Sequence, residues 1–102
     1  MFEQIDFKSG DVILNDFDFN EGVALDQQIW SFKEDILQVR YDNKFVLDLG
    51  WYPEFNLDDG SFKLIIVEID DWLNPLFIKR TKSLNEIYEY IKEAILFVEK
   101  LK

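Results

Sequence analysis

Carboxylates and aromatic rings are the side chains this chain has in quantity for chemistry. It holds 21 acids, 17% aromatic residues, no histidine and no cysteine. The acids come in adjacent pairs, Glu34–Asp35, Asp58–Asp59 and Asp70–Asp71, and in an alternating run, Asp16 and Asp18 with Glu21 beyond. A carboxylate does acid–base work only when burial or a like-charged neighbour in a cleft raises its pKa. Sequence-adjacent acids in turns diverge into water instead. There is no histidine base, no thiolate, no glycine-rich phosphate loop and no nucleophile motif, so the expectation is a protein that is not an enzyme.

Asp16, Asp18 and Asn20 have the spacing of calcium ligands one, three and five. An EF-hand loop needs glycine at position six and glutamate at twelve, where this chain has Glu21 and Gln27. Phe17 and Phe19 alternate with the acids, which suits a half-buried strand or its exit. No metal and no cofactor is expected.

A partner surface fits these residues better. The net charge is −10, with nine acids and two bases in residues 1–35 and twelve acids and nine bases in residues 36–102. Nucleic acid and anionic membranes demand a positive footprint, so neither is an expected partner. A basic protein is. Aromatic residues beside acids are candidate anchors for such a partner. Three groups stand out: Asp16, Asp18, Glu21, Glu34 and Asp35; then Tyr52, Glu54, Asp58 and Asp59; then Asp70, Asp71 and Trp72.

The elements that must position them follow from hydrophobic periodicity. "SLNEIYEYIKEAILFVEKLK" opens on a capping box, Ser83 with Glu86. Leu84, Ile87, Tyr88, Ile91, Ala94, Ile95, Val98 and Leu101 then recur at helical spacing, predicting an amphipathic helix over 84–101. Period-two alternation predicts strands over 36–41 and 44–52; 61–69, apolar on both faces, reads as a central strand, and 76–81 returns after the "DDWLNP" turn, with a weaker edge strand over 11–16. Short connections imply antiparallel pairing. Asp42–Asn43 makes a tight turn, and Pro53 ends its strand because it lacks an N–H. Segment 25–35 reads as a short helix with Asp26 as N-cap and Ile29, Trp30 and Phe32 on its apolar side. In a meander, alternate hairpin loops lie at opposite ends. "DDWLNP" is therefore expected far from "EFNLDD".

The expected fold is a single α+β domain of 102 residues. An antiparallel meander of four to five strands packs against the long C-terminal helix and a short helix in the N-terminal half. No apolar run approaches the roughly 20 residues a membrane span requires. The N-terminus has no basic region followed by an apolar one, so no signal peptide is expected. The absence of cysteine suits a reducing cytosol.

Four blocks, "EDILQV" (34–39), "LDLGWYPEF" (47–55), "GSFKLIIV" (60–67) and "DDWLNPLF" (70–77), together with the capped helix, carry a family likeness. They resemble small bacterial immunity proteins of polymorphic toxin systems, contact-dependent growth inhibition systems most of all. No functional residue carries over from that resemblance. It implies a cytoplasmic inhibitor that binds one cognate toxin domain, and many such toxins are basic nucleases. The rival readings are an acidic mimic of nucleic acid and an interaction domain unrelated to toxins. A mimic needs acids spaced like phosphates along a ridge. On the helix, Glu86, Glu89, Glu93 and Glu99 are interrupted by Lys92 and Lys100.

Overall fold

The structure is a computed structural model and describes residues 3–102. Its strands are β1 (Asp11–Asn15), β2 (Leu37–Tyr41), β3 (Phe45–Tyr52), β4 (Ser61–Glu68) and β5 (Phe77–Thr81), and α1 spans Leu84–Leu101. They form one antiparallel sheet in the order β1-β2-β3-β4-β5. The protein is an α+β meander with a helix packed on one sheet face.

Alternation decides that face. Leu37, Val39 and Tyr41 pair with Leu49, Leu47 and Phe45. Leu47, Leu49 and Trp51 pair in turn with Ile66, Leu64 and Phe62. All these side chains are buried, and they form one cluster with Leu84, Ile87, Ile91, Ala94, Ile95 and Val98 of α1. At one end of that core, Trp51 packs edge-on against Phe32 and Phe62, with ring centroids 4.6 and 4.8 Å apart. Phe19 adds to the same cluster. Such rings bury roughly 150–250 Å² each, which lets a small domain hold together without disulfides.

The turns match their chemistry. Asp42 and Asn43 both take positive φ, and the Lys44 N–H donates to the Tyr41 carbonyl at 3.0 Å. β3 stops at Tyr52, before a cis Tyr52–Pro53 bond. Gly60 closes the next loop, because a Cβ there would stand 2.1 Å from the Trp51 indole nitrogen.

The α1 cap is shared differently from a reciprocal box. Ser83 Oγ accepts the Glu86 N–H at 3.1 Å, but the Glu86 carboxylate takes the Thr81 hydroxyl. Thr81 Oγ1 in turn accepts the Ser83 N–H.

Segment 25–35 departs from its expected helix. It forms a 3-10 helix only over Leu25–Ser31, kinked at Gln28, and Asp26 lies in its first turn with no side-chain cap on Ala24. Gln28 is drawn away to bond the backbone of Asn20 and Val23. Residues 32–35 instead run extended along the end of β3. Trp51 N–H donates to the Lys33 carbonyl at 2.7 Å, and Phe55 N–H to the Phe32 carbonyl at 2.8 Å. Of the expected apolar side only Phe32 is fully buried, while Trp30 stays exposed with its ring edge on Phe55.

Candidate functional site

The sheet has a second face, and α1 does not cover it. Register places Gln38 and Arg40 of β2, Asp48, Gly50 and Tyr52 of β3, Lys63, Ile65 and Val67 of β4, and Ile78 and Arg80 of β5 on it. Ile65 and Val67 are buried yet stand outside the helix-side cluster. Tyr52, Trp72, Leu76 and Ile78 remain exposed, between 38% and 50%. Leu73, in the same β4–β5 loop as Trp72, is 92% exposed.

Two connections shape this face. The β4–β5 loop leaves from the expected end of the sheet, where the Ile69 N–H donates to the Lys44 carbonyl. Trp72 nevertheless lines one concavity with Tyr52, Asp48, Lys63 and Ile65, of about 220 Å³. The β3–β4 and β4–β5 loops leave opposite ends of the sheet as expected, yet Trp72 and Tyr52, the last residue of β3, share this concavity. On the β2–β3 side the extended segment ending at Asp35 crosses the open face. Gly50 permits it, since a Cβ there would meet the Glu34 carbonyl oxygen at 2.0 Å. Tyr52 Oη donates to that same carbonyl at 3.1 Å.

The crossing gathers acids that the sequence keeps apart. Glu54 accepts the Glu34 N–H at 3.3 Å. Asp16 pairs with Lys33 at 2.8 Å, and that hydrogen bond raises the lysine pKa, helped by the Asp18 and Glu54 charges. The first and second residue groups thus meet around Lys33. Burial is the main cause pushing the Tyr52 hydroxyl up, and the charges of Asp48, Asp35 and Glu34 add to it.

Other members lie elsewhere. Glu21 is exposed in the turn after Asn20. Asp58 and Asp59 are exposed in the β3–β4 loop, where the Asp58 carbonyl accepts from Lys82 and the Asp59 N–H donates to Asn56 Oδ1. Asp70 and Asp71 are exposed at the root of the β4–β5 loop, and Asp71 accepts from Asn74 Nδ2 at 2.9 Å. None of these five lines the concavity.

Asp48 is the member that sequence reading missed. It is half-buried in the middle of the open face, and among the described residues its side chain takes one hydrogen bond, from the neutral Gln38 amide at 3.2 Å. Burial raises its pKa most. Asp35 adds to the rise, while Gln38 and Lys63 oppose it. No described cation forms an ion pair with it. The available signal was a carboxylate at the centre of an interior strand, flanked by Val46 and Gly50. A larger hollow of about 430 Å³ lies along the N-terminal segment, lined by Glu3, Phe7, Val12, Phe17 and Asp18 among others.

Charge on the open face is mixed. Glu34, Asp35 and Asp48 stand toward β2 and β3, where Arg40 of β2 is also exposed, and Lys63 and Arg80 are direct cross-strand neighbours on β4 and β5. Among the described residues no group of three acids is arranged to hold a metal ion, and no helix is long and apolar enough to cross a membrane. No family model, curated protein or solved structure matches this chain.

Proposed function

We propose that this protein is an immunity-type inhibitor. It acts in the cytoplasm, binds one cognate toxin domain of basic, nuclease-like charge, and neutralises it by covering a surface the toxin needs. The observation that carries this reading is the open sheet face, where exposed Tyr52 and Trp72 sit beside Glu34, Asp35 and Asp48. A sheet face that the helix leaves open, with aromatic anchors beside acids, suits a protein partner. The anchors supply desolvated contact area. The acidic flank and the net charge of −10 steer a basic partner and reject acidic ones. The resemblance of the 34–77 blocks to immunity proteins points the same way. A nucleic-acid mimic is the poorer reading, because Lys63 and Arg80 interrupt any ridge of acids across this face.

The test is co-purification of the tagged protein with the C-terminal domain of the protein that the upstream gene encodes, with affinity read at low and moderate salt. Tight binding that weakens with salt, together with protection of cells expressing the toxin, is the expected result. Absence of binding at both salt concentrations overturns the reading.

A further inference from the structure

The open-face concavity combines three features that rarely coincide by packing alone. First, its carboxylate is under-satisfied. Asp48 is half-buried on an interior strand and, among the described residues, holds a single neutral hydrogen bond, from Gln38. A carboxylate taken from water without an ion pair gains more from an arriving cation than any exposed acid does. Second, two aromatic rings border it with exposed surface, Tyr52 and Trp72 at 38% and 47%. The Tyr52 ring is pre-positioned by its hydroxyl bond to the Glu34 carbonyl. Third, the floor at Ile65 is apolar and buried, so a bound group there loses solvent.

We propose that this concavity is a seat for one arginine side chain of the basic protein partner; this deepens the immunity reading and rests on it for the partner. The guanidinium lies against the Trp72 and Tyr52 rings and donates to the Asp48 carboxylate. Arginine suits the seat better than lysine for three reasons. Its planar cation stacks on rings, its fork matches a carboxylate with two parallel N–H donors, and it is less strongly hydrated. Lys63 lines the same concavity without forming an ion pair with Asp48, so any arriving cation meets its repulsion. An apolar occupant would desolvate Asp48 further without giving it a hydrogen-bond donor, which is unfavourable.

The experiment needs no toxin. The ¹⁵N-labelled full chain is titrated with N-acetyl-arginine methylamide, and separately with the lysine and leucine analogues. Expected are saturable shifts centred on the Trp72 indole N–H and on the Gly50 and Tyr52 amides. The lysine probe binds more weakly, and the leucine probe does not compete. Asp48→Asn weakens the arginine probe by about tenfold or more, the loss of a charge-assisted contact. Trp72→Ala weakens it too, whereas Lys63→Met tightens it. Asp70→Asn, outside the concavity, changes nothing. Shifts that grow linearly, or that are the same in Asp48→Asn and Trp72→Ala, overturn the seat. So does equal binding of the leucine probe, or a dilution series showing that a second copy of the chain fills this face. If the toxin binds but the arginine titration fails, the seat is wrong and the immunity reading stands. If the arginine probe binds and the toxin does not, the seat stands and the immunity reading falls.

Discussion

The two faces of one sheet are built on opposite rules. On the α1 side every inward position of β2, β3 and β4 from Leu37 to Ile66 is apolar and buried, and the helix seals it. On the other side β2 to β5 present Gln38, Arg40, Asp48, Lys63 and Arg80 among Ile65, Val67 and Ile78, with Tyr52 and Trp72 partly exposed. The first face is what stability requires. The second retains a half-buried carboxylate and exposed rings that folding does not need. Residues held against the interest of stability mark the places where function is kept.

The largest effect that tests this contrast belongs to the covered face. Trp51→Ala removes the ring that joins Phe32 to Phe62 and leaves the Asn56 carbonyl without its indole donor. It should cost about 3–5 kcal/mol of stability, read by urea denaturation. Partner binding should fall only as far as the folded fraction falls. A next, smaller effect lies where the faces meet. Gly50→Ala puts a Cβ against the Glu34 carbonyl oxygen and forces residues 32–35 off the sheet. A loss of about 1–3 kcal/mol is expected, with the Tyr52–Glu34 contact broken in the NMR spectrum. A silent Gly50→Ala would show that the crossing segment is not held where the structure puts it.

Trp72→Ala should reverse the pattern seen for Trp51. The ring is 47% exposed and packs over the open face. Its loss should leave the unfolding free energy within about 0.5 kcal/mol. Affinity for the partner should drop by about 2 kcal/mol, the size of an interface anchor, measured by calorimetry. If stability falls and binding does not, the two tryptophans do the same job and the distinction between the faces fails.

The covered face could be read from sequence because period-two alternation and helical spacing are local signals. Phe45–Leu47–Leu49–Trp51 and the 84–101 stripe needed no tertiary knowledge, and all strands lie within a residue of their expected ends. The open-face site is not local. It exists because the 70–76 loop brings Trp72 back and because residues 32–35 abandon helix for the edge of β3. That second change begins at Gln28, whose side chain bonds backbone eight residues earlier, a contact that no propensity anticipates. Asp48 was visible as a residue but read as the polar half of an alternating strand. Only its burial, with Asp35 and Trp72 nearby, sets it apart.

The smallest effect is the most specific. Asp48 has its pKa raised in the folded protein, chiefly by burial and further by Asp35. The folded state therefore holds this proton more tightly than the unfolded chain. That contribution to stability is full below the unfolded aspartate pKa, about 3.9, and is lost as the pH rises through the folded value. Above the folded value the ionised Asp48 opposes folding. Asp48→Asn keeps the shape and the Gln38 neighbour but carries no charge to desolvate. It should melt above the parent protein at pH 7, and the gap should close as both are melted at successively lower pH toward 3. The same substitution should weaken partner binding, so one residue would trade stability for affinity. If Asp48→Asn instead melts below the parent at pH 7, Asp48 supports the fold, and the open face follows the same rule as the covered one.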